Sequence, residues 1–186
     1  CSCIEESEVS THERSMKPSM FKILIPALTL PLPAFAADLE LNIEVPRINA
    51  AEYHRPYVAA WIEKADNSVA SNLLVWYDVD MKNGEGTKWL KDMRQWWRRS
   101  GRTLTMPVDG VSGATRPVGQ HAVSFKGASK QLAGLAPGSY TLVVEAAREV
   151  GGREMLTIPF EWPAKAQKLS AQGKTELGKV GLAVKP

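Results

Sequence analysis

Asp109-Gly110-Val111-Ser112-Gly113-Ala114-Thr115 is the stretch of this 186-residue chain whose residue types and spacing point to chemistry. Thr115 carries a hydroxyl, and the residues directly before it are small. Small residues let another enzyme's active site close around the backbone, and glycine reaches conformations closed to other residues. A modifying enzyme is also expected to need the acceptor on an exposed loop, outside any strand ladder. Residues 106–120 are rich in Gly and Pro and read as such a loop. The chemistry this allows is covalent modification of the Thr115 hydroxyl. The competing reading is a solvent-exposed turn, where Gly, Ser and Thr are common.

Other chemistry finds less support. His54 and His121 are too few to build a metal site without carboxylate help. No Ser/His/Asp set or pair of carboxylates stands out. Trp89, Trp96 and Trp97 could wall a flat aromatic ligand, because indoles stack well on π-systems. A tryptophan stripe at helical spacing is more often core. That bland reading is taken for Trp89 and Trp96, and Trp97 is kept as a candidate wall of the site.

The elements that must position the motif follow from hydrophobic period. Leu39, Leu41, Ile43 and Val45 alternate with Glu40, Asn42 and Glu44, the mark of a half-buried strand. Residues 57–64 and 73–78 read as two further strands, with Trp61 and Ile62 on opposite faces of the first. Asp66-Asn67-Ser68 makes them a hairpin. Trp89, Met93, Trp96 and Trp97 fall on one helical stripe, so a short basic helix is expected over about residues 87–100, capped by Thr87 and ended at Gly101. Strands resume at 122–126, 140–146, 155–160 and 179–184, with turn signals at Pro137-Gly138 and Gly151-Gly152.

Many short strands at regular spacing make the chain mostly β. The expected fold is an immunoglobulin- or fibronectin-III-like β-sandwich with one inserted short helix. Leu135 to Leu142 resembles the corner before a late strand of such sandwiches, where a Tyr hydroxyl, here that of Tyr140, bonds nearby backbone. An ordinary turn before a strand is the alternative.

The N-terminus reads as a targeting segment. Lys17 and Lys22 flank a short positive region, residues 23–33 are apolar, and Ala34-Phe35-Ala36 offers small residues for cleavage after Ala36. The apolar run is far short of the ~20 residues that span a bilayer. Residues 16–36 are therefore expected to be a signal peptide. Residues 1–15 are expected to be an over-extended or disordered extension, and residues 37–186 a single domain. Past Ala36 the chain keeps 20 basic and 16 acidic residues, a formal charge of +4, and neither Cys1 nor Cys3. A mild positive charge excludes the dense Lys/Arg loading of a nucleic-acid binder. The absence of cysteine excludes disulfides and thiolate metal sites from that domain. A periplasmic protein without stable membrane insertion is expected.

The pattern Asp-x-x-Ser/Thr-Gly-Ala-Thr resembles the site in FMN-binding domains, including a subunit of the sodium-pumping quinone reductase, that the periplasmic flavin transferase modifies. The resemblance implies that Thr115 carries FMN by a phosphoester bond made from FAD with Mg²⁺. It implies that Gly113 and Ala114 are the close-approach residues, and that Ser112 and Asp109 complete the motif. The domain as a whole resembles the domain of unknown function 2271 family, through residues 56–63, Trp89 to Arg99 and Asp109 to Gly119. That resemblance implies extracytosolic, flavin-linked redox work. The expected function is an electron carrier between a membrane-bound donor and an extracytosolic acceptor, with no substrate reaction of its own. The alternative is a flavin-free periplasmic β-sandwich that binds a protein partner or ligand through the basic Trp-rich helix.

Overall fold

Alternation builds the first strand as the sequence predicts. In β1 (Asp38–Val45) the residues Leu39, Leu41, Ile43 and Val45 are buried and those between are half-buried. The computed structural model describes residues 37–163 and 165–186. The expected signal peptide, its cleavage after Ala36, the extension 1–15 and both cysteines lie outside the described residues.

Eight further strands follow: β2 (Tyr57–Glu63), β3 (Val69–Tyr77), β4 (Ser112–Ala114), β5 (Gly119–Phe125), β6 (Gly138–Ala147), β7 (Arg153–Trp162), β8 (Gln167–Gln172) and β9 (Lys179–Lys185). They form two sheets, β5-β1-β9-β8 and β4-β3-β2-β6-β7. The fold is mostly β, two sheets packed face to face with little helix. The corner expected before β6 is present, since the Tyr140 hydroxyl donates to the Ala136 carbonyl at 2.8 Å. The β2–β3 turn is held by Asp66 Oδ1, which accepts from the Ser68 N–H at 2.9 Å and its hydroxyl at 2.6 Å. Asn67 takes the left-handed conformation at φ 61°.

The middle of the five-stranded sheet is covered on both faces. Val58, Ala60 and Ile62 of β2, with Leu142, Val144 and Ala146 of β6, face the other sheet. Ala59 and Trp61, with Val75, Tyr77, Val143 and Ala147, face a separate cluster closed by Leu90, Met93 and Trp96. Strands buried on both sides become continuous apolar runs, which is how β2 and β6 read. Each large side chain sunk this way contributes about 1.5–3 kcal/mol.

The helical layer differs from the single helix expected over 87–100. A 3₁₀ helix spans Lys82–Asp92, with Asn83 and Gly84 left-handed inside it, and a six-residue α1 spans Arg94–Arg99. Thr87 does not cap a helix; its hydroxyl donates to the Gly84 carbonyl at 2.7 Å. Buried Glu145 of β6 does that work for α1, accepting from the Gln95 N–H at 3.1 Å and the Trp96 N–H at 2.7 Å. Helix α1 ends as expected before Gly101, for a different reason. A Cβ on Gly101 would lie 2.5 Å from the Trp96 indole, so packing of that ring demands glycine.

Candidate functional site

The motif does not sit on a free loop. Ser112-Gly113-Ala114 is the edge strand β4, paired in parallel with Val75, Trp76 and Tyr77 of β3. The expectation of an acceptor outside any ladder is corrected to this extent. β4 is short and outermost, so one side of its backbone is open. Thr115 follows directly, half-buried, its N–H donating to the Tyr77 carbonyl at 3.1 Å.

Ser112 closes the turn that feeds the strand. Its hydroxyl accepts from the Val108 N–H at 2.9 Å, and its own N–H donates to the Val108 carbonyl at 2.9 Å. Gly110 in between is left-handed at φ 72°, a conformation that favours glycine. Asp109 turns outward, its side chain 90% exposed, and pairs with Lys130 at 3.0 Å. A surface pair of this kind contributes little to folding. Gly113 has no structural need to be glycine. A Cβ there would meet only the Trp76 indole, Cδ1 at 3.4 Å and Nε1 at 3.8 Å, ordinary contacts.

Thr115 and Ala114 line a cleft of about 440 Å³. That is within the size range of small-molecule sites. The β1–β2 connection supplies Tyr53, His54 and Arg55; the end of β3 supplies Asp78, Asp80 and Met81. The 3₁₀ helix supplies Trp89 and Asp92, and the β6–β7 turn supplies Arg148 and Glu149. His54 lies between two carboxylates, Nε2 3.1 Å from Glu52 and Nδ1 3.5 Å from Glu149. Burial pushes the Tyr57 phenol up, against a smaller opposing pull from a backbone hydrogen bond with Asp78. Tyr57 is thus a neutral hydroxyl in the cleft wall at neutral pH.

The turn at the cleft is fixed from beneath. Arg148 Nε donates to Glu176 Oε2 at 2.9 Å and Nη2 to Oε1 at 3.2 Å, both side chains being more than nine-tenths buried. Glu176 belongs to a loop that Glu154 holds, its carboxylate accepting from the N–H groups of Lys174, Thr175, Glu176 and Leu177 at 2.6 to 2.9 Å.

The tryptophans divide otherwise than expected. Trp96 is core, and its indole N–H donates to Asn72 Oδ1 at 2.9 Å. Trp97 is half-buried against the cluster beneath the helices and is not among the residues lining the Thr115 cleft. Trp89, assigned to the core from its spacing, is instead 42% exposed and lines the cleft. Sequence reasoning also missed Tyr53, Met81 and the cleft carboxylates. A run of Asp78, Asp80 and Asp92 around an aromatic is visible in sequence only once the chain's path is known.

A larger concavity of about 600 Å³ lies on the four-stranded sheet, lined by Glu40, Asn42, Lys168, Ser170 and their neighbours. It is the polar face of that sheet and holds no motif residue. Among the described residues no group of three or more His, Cys, Asp or Glu is arranged to hold a metal ion, and no helix is long and apolar enough to cross a membrane.

Residues 38–179 match a family model described as Predicted periplasmic protein (DUF2271). No curated protein and no solved structure matches the chain.

Proposed function

The chain belongs to the DUF2271 family of predicted periplasmic proteins, and from that premise we propose that it is an exported electron carrier holding FMN covalently on Thr115. In this reading the signal peptide is cleaved after Ala36, and a periplasmic flavin transferase then acts. The Thr115 hydroxyl attacks the FMN-side phosphorus of FAD. A phosphoester forms, the pyrophosphate bond breaks, AMP leaves and the hydroxyl proton passes to solvent. FMN supplies the redox chemistry when bound; the chain supplies the tether and the surroundings. Electrons arrive from a membrane-bound donor and leave to an extracytosolic acceptor.

The observation that carries the reading is the motif's place on an open sheet edge beside a cleft of ligand size. The residues present fit the group. Thr115 is half-exposed at the cleft, and Ala114 before it is exposed. Gly113 leaves room that the fold itself does not require. That room is accounted for by an enzyme approaching from outside.

The test is co-expression with a flavin transferase. A fluorescent band on a denaturing gel and the mass gain of one FMN are expected, lost in Thr115→Ala and retained in Ser112→Ala. An unmodified Thr115 in the intact mass, with active transferase and FAD present, sinks the proposal.

One observation favours a second reading. Arg94, Arg98 and Arg102 are exposed, and among the described residues none pairs with a carboxylate. A flavin-free module docking an acidic partner through this face would be colourless when purified from its host; the carrier would be yellow.

A further inference from the structure

Part of the exposed apolar surface of this domain is gathered at the Thr115 cleft. Seven large hydrophobic side chains are exposed among the described residues. Tyr53, Met81 and Trp89 line the Thr115 cleft itself. Val79 lies between Asp78 and Asp80 of the cleft, and Val150 follows Glu149. Three of the seven, all of them long or aromatic, thus line one cleft, the mark of a binding surface.

The charge at that place is negative. Asp78, Asp80, Asp92 and Glu149 line it against one exposed cation, Arg55, while the Arg148 guanidinium is buried on Glu176. Such a lining favours an uncharged ring over a further anion in its interior, and Arg55 is its exposed cation for the phosphate carried by Thr115. Exposed indole and phenol faces are what a flat, electron-poor ring system stacks on.

Resting on the FMN reading of Thr115, we propose that the isoalloxazine ring folds back into this cleft and stacks on Trp89 and Tyr53. The phosphate stays at the lip on Thr115, and the ribityl chain bridges the two. The aromatic wall is therefore Trp89, on the 3₁₀ helix, and not Trp97 on α1. The ring is shielded on one side and keeps an open edge for electron exchange.

The test uses the flavinylated protein, its Trp89→Ala and Tyr53→Ala variants, and Met155→Ala as an exposed residue outside the cleft. Attachment is read from in-gel fluorescence after denaturation. Ring seating is read from native flavin fluorescence, iodide quenching and visible circular dichroism. In the wild type, native fluorescence is expected to be several-fold below that of the denatured protein and resistant to iodide. Trp89→Ala is expected to carry the same FMN with most of that quenching and the visible dichroism lost. Met155→Ala is expected to match the wild type. Attached flavin that is as bright and iodide-accessible in the native wild type as in denaturant overturns the ring seat and leaves the tether standing. Unchanged quenching and dichroism in both Trp89→Ala and Tyr53→Ala overturn it too. A chain that takes no FMN at Thr115 overturns both proposals together.

Discussion

Thr115 donates its backbone N–H to the Tyr77 carbonyl at 3.1 Å, which anchors the end of the motif to the last residue of β3. The backbone that carries the Thr115 hydroxyl is thereby fixed to the sheet edge and is not a swinging loop. A site built on a strand edge is positioned more sharply than one on a free loop. The same bond limits how far the acceptor can be lifted into another enzyme.

Gly113→Ala separates folding from modification. The added methyl has ordinary room beside Trp76, and the φ of Gly113 is not left-handed. Stability is expected to change by no more than about 0.5 kcal/mol. Attachment of FMN is expected to fall sharply, because the close approach is lost. Urea denaturation and intact mass, measured on the same preparation, check the two halves.

Glu154 gives the fold a defined acid sensitivity. Burial raises its pKa, but the four backbone N–H donors outweigh burial and hold it below the ordinary glutamate value of 4.5. A carboxylate depressed in the folded state stabilises fully above its unfolded pKa. That contribution is lost as pH falls through the lower folded value. Glu154→Gln is therefore expected to lower the melting temperature at pH 7 and to lose its effect in strong acid. A melting-temperature series for both proteins between pH 7 and pH 2, where the two curves should converge, is the measurement.

Glu176→Ala leaves Arg148 buried without its counter-charge. Removing one partner of a buried pair costs about 3–5 kcal/mol. The midpoint in urea should drop accordingly. The Arg148-Glu149 turn at the cleft should loosen first, seen as faster amide exchange from Arg148 to Gly152.

Glu145→Ala tests the helical layer. The two backbone donors at the start of α1 lose their acceptor, at about 1–3 kcal/mol. Arg153, 38% exposed, can turn to water and adds little. Amide exchange at Gln95 and Trp96 should rise while that of β1 and β9 stays slow.

The sequence was most readable where one face of an element is buried. β1 alternates because one side meets the core and the other meets water, so residue type records position. The split of Trp61 and Ile62 onto opposite faces of β2 came from the same period. The tyrosine corner was legible because a hydroxyl at a fixed offset from a turn serves one purpose there. β8 was not legible, since its residues Gln167-Lys168-Leu169-Ser170-Ala171-Gln172 are half-exposed and mostly polar.

By itself the sequence determined the motif, the mostly β sandwich, and the inward faces of its longest strands. Tertiary structure alone decided which residues stand around Thr115. β4 is joined to β3 through backbone hydrogen bonds, which no side-chain pattern encodes. Trp89 left the buried face because its segment is 3₁₀. A 3₁₀ turn advances about 120° per residue against about 100° in an α-helix, and Met93, at φ −76° and ψ 72°, breaks the path before α1, so the stripe from Trp89 to Met93 is not continuous. A periodicity read at 3.6 residues per turn sends Trp89 into the core. The true winding turns it outward, into the cleft beside the threonine.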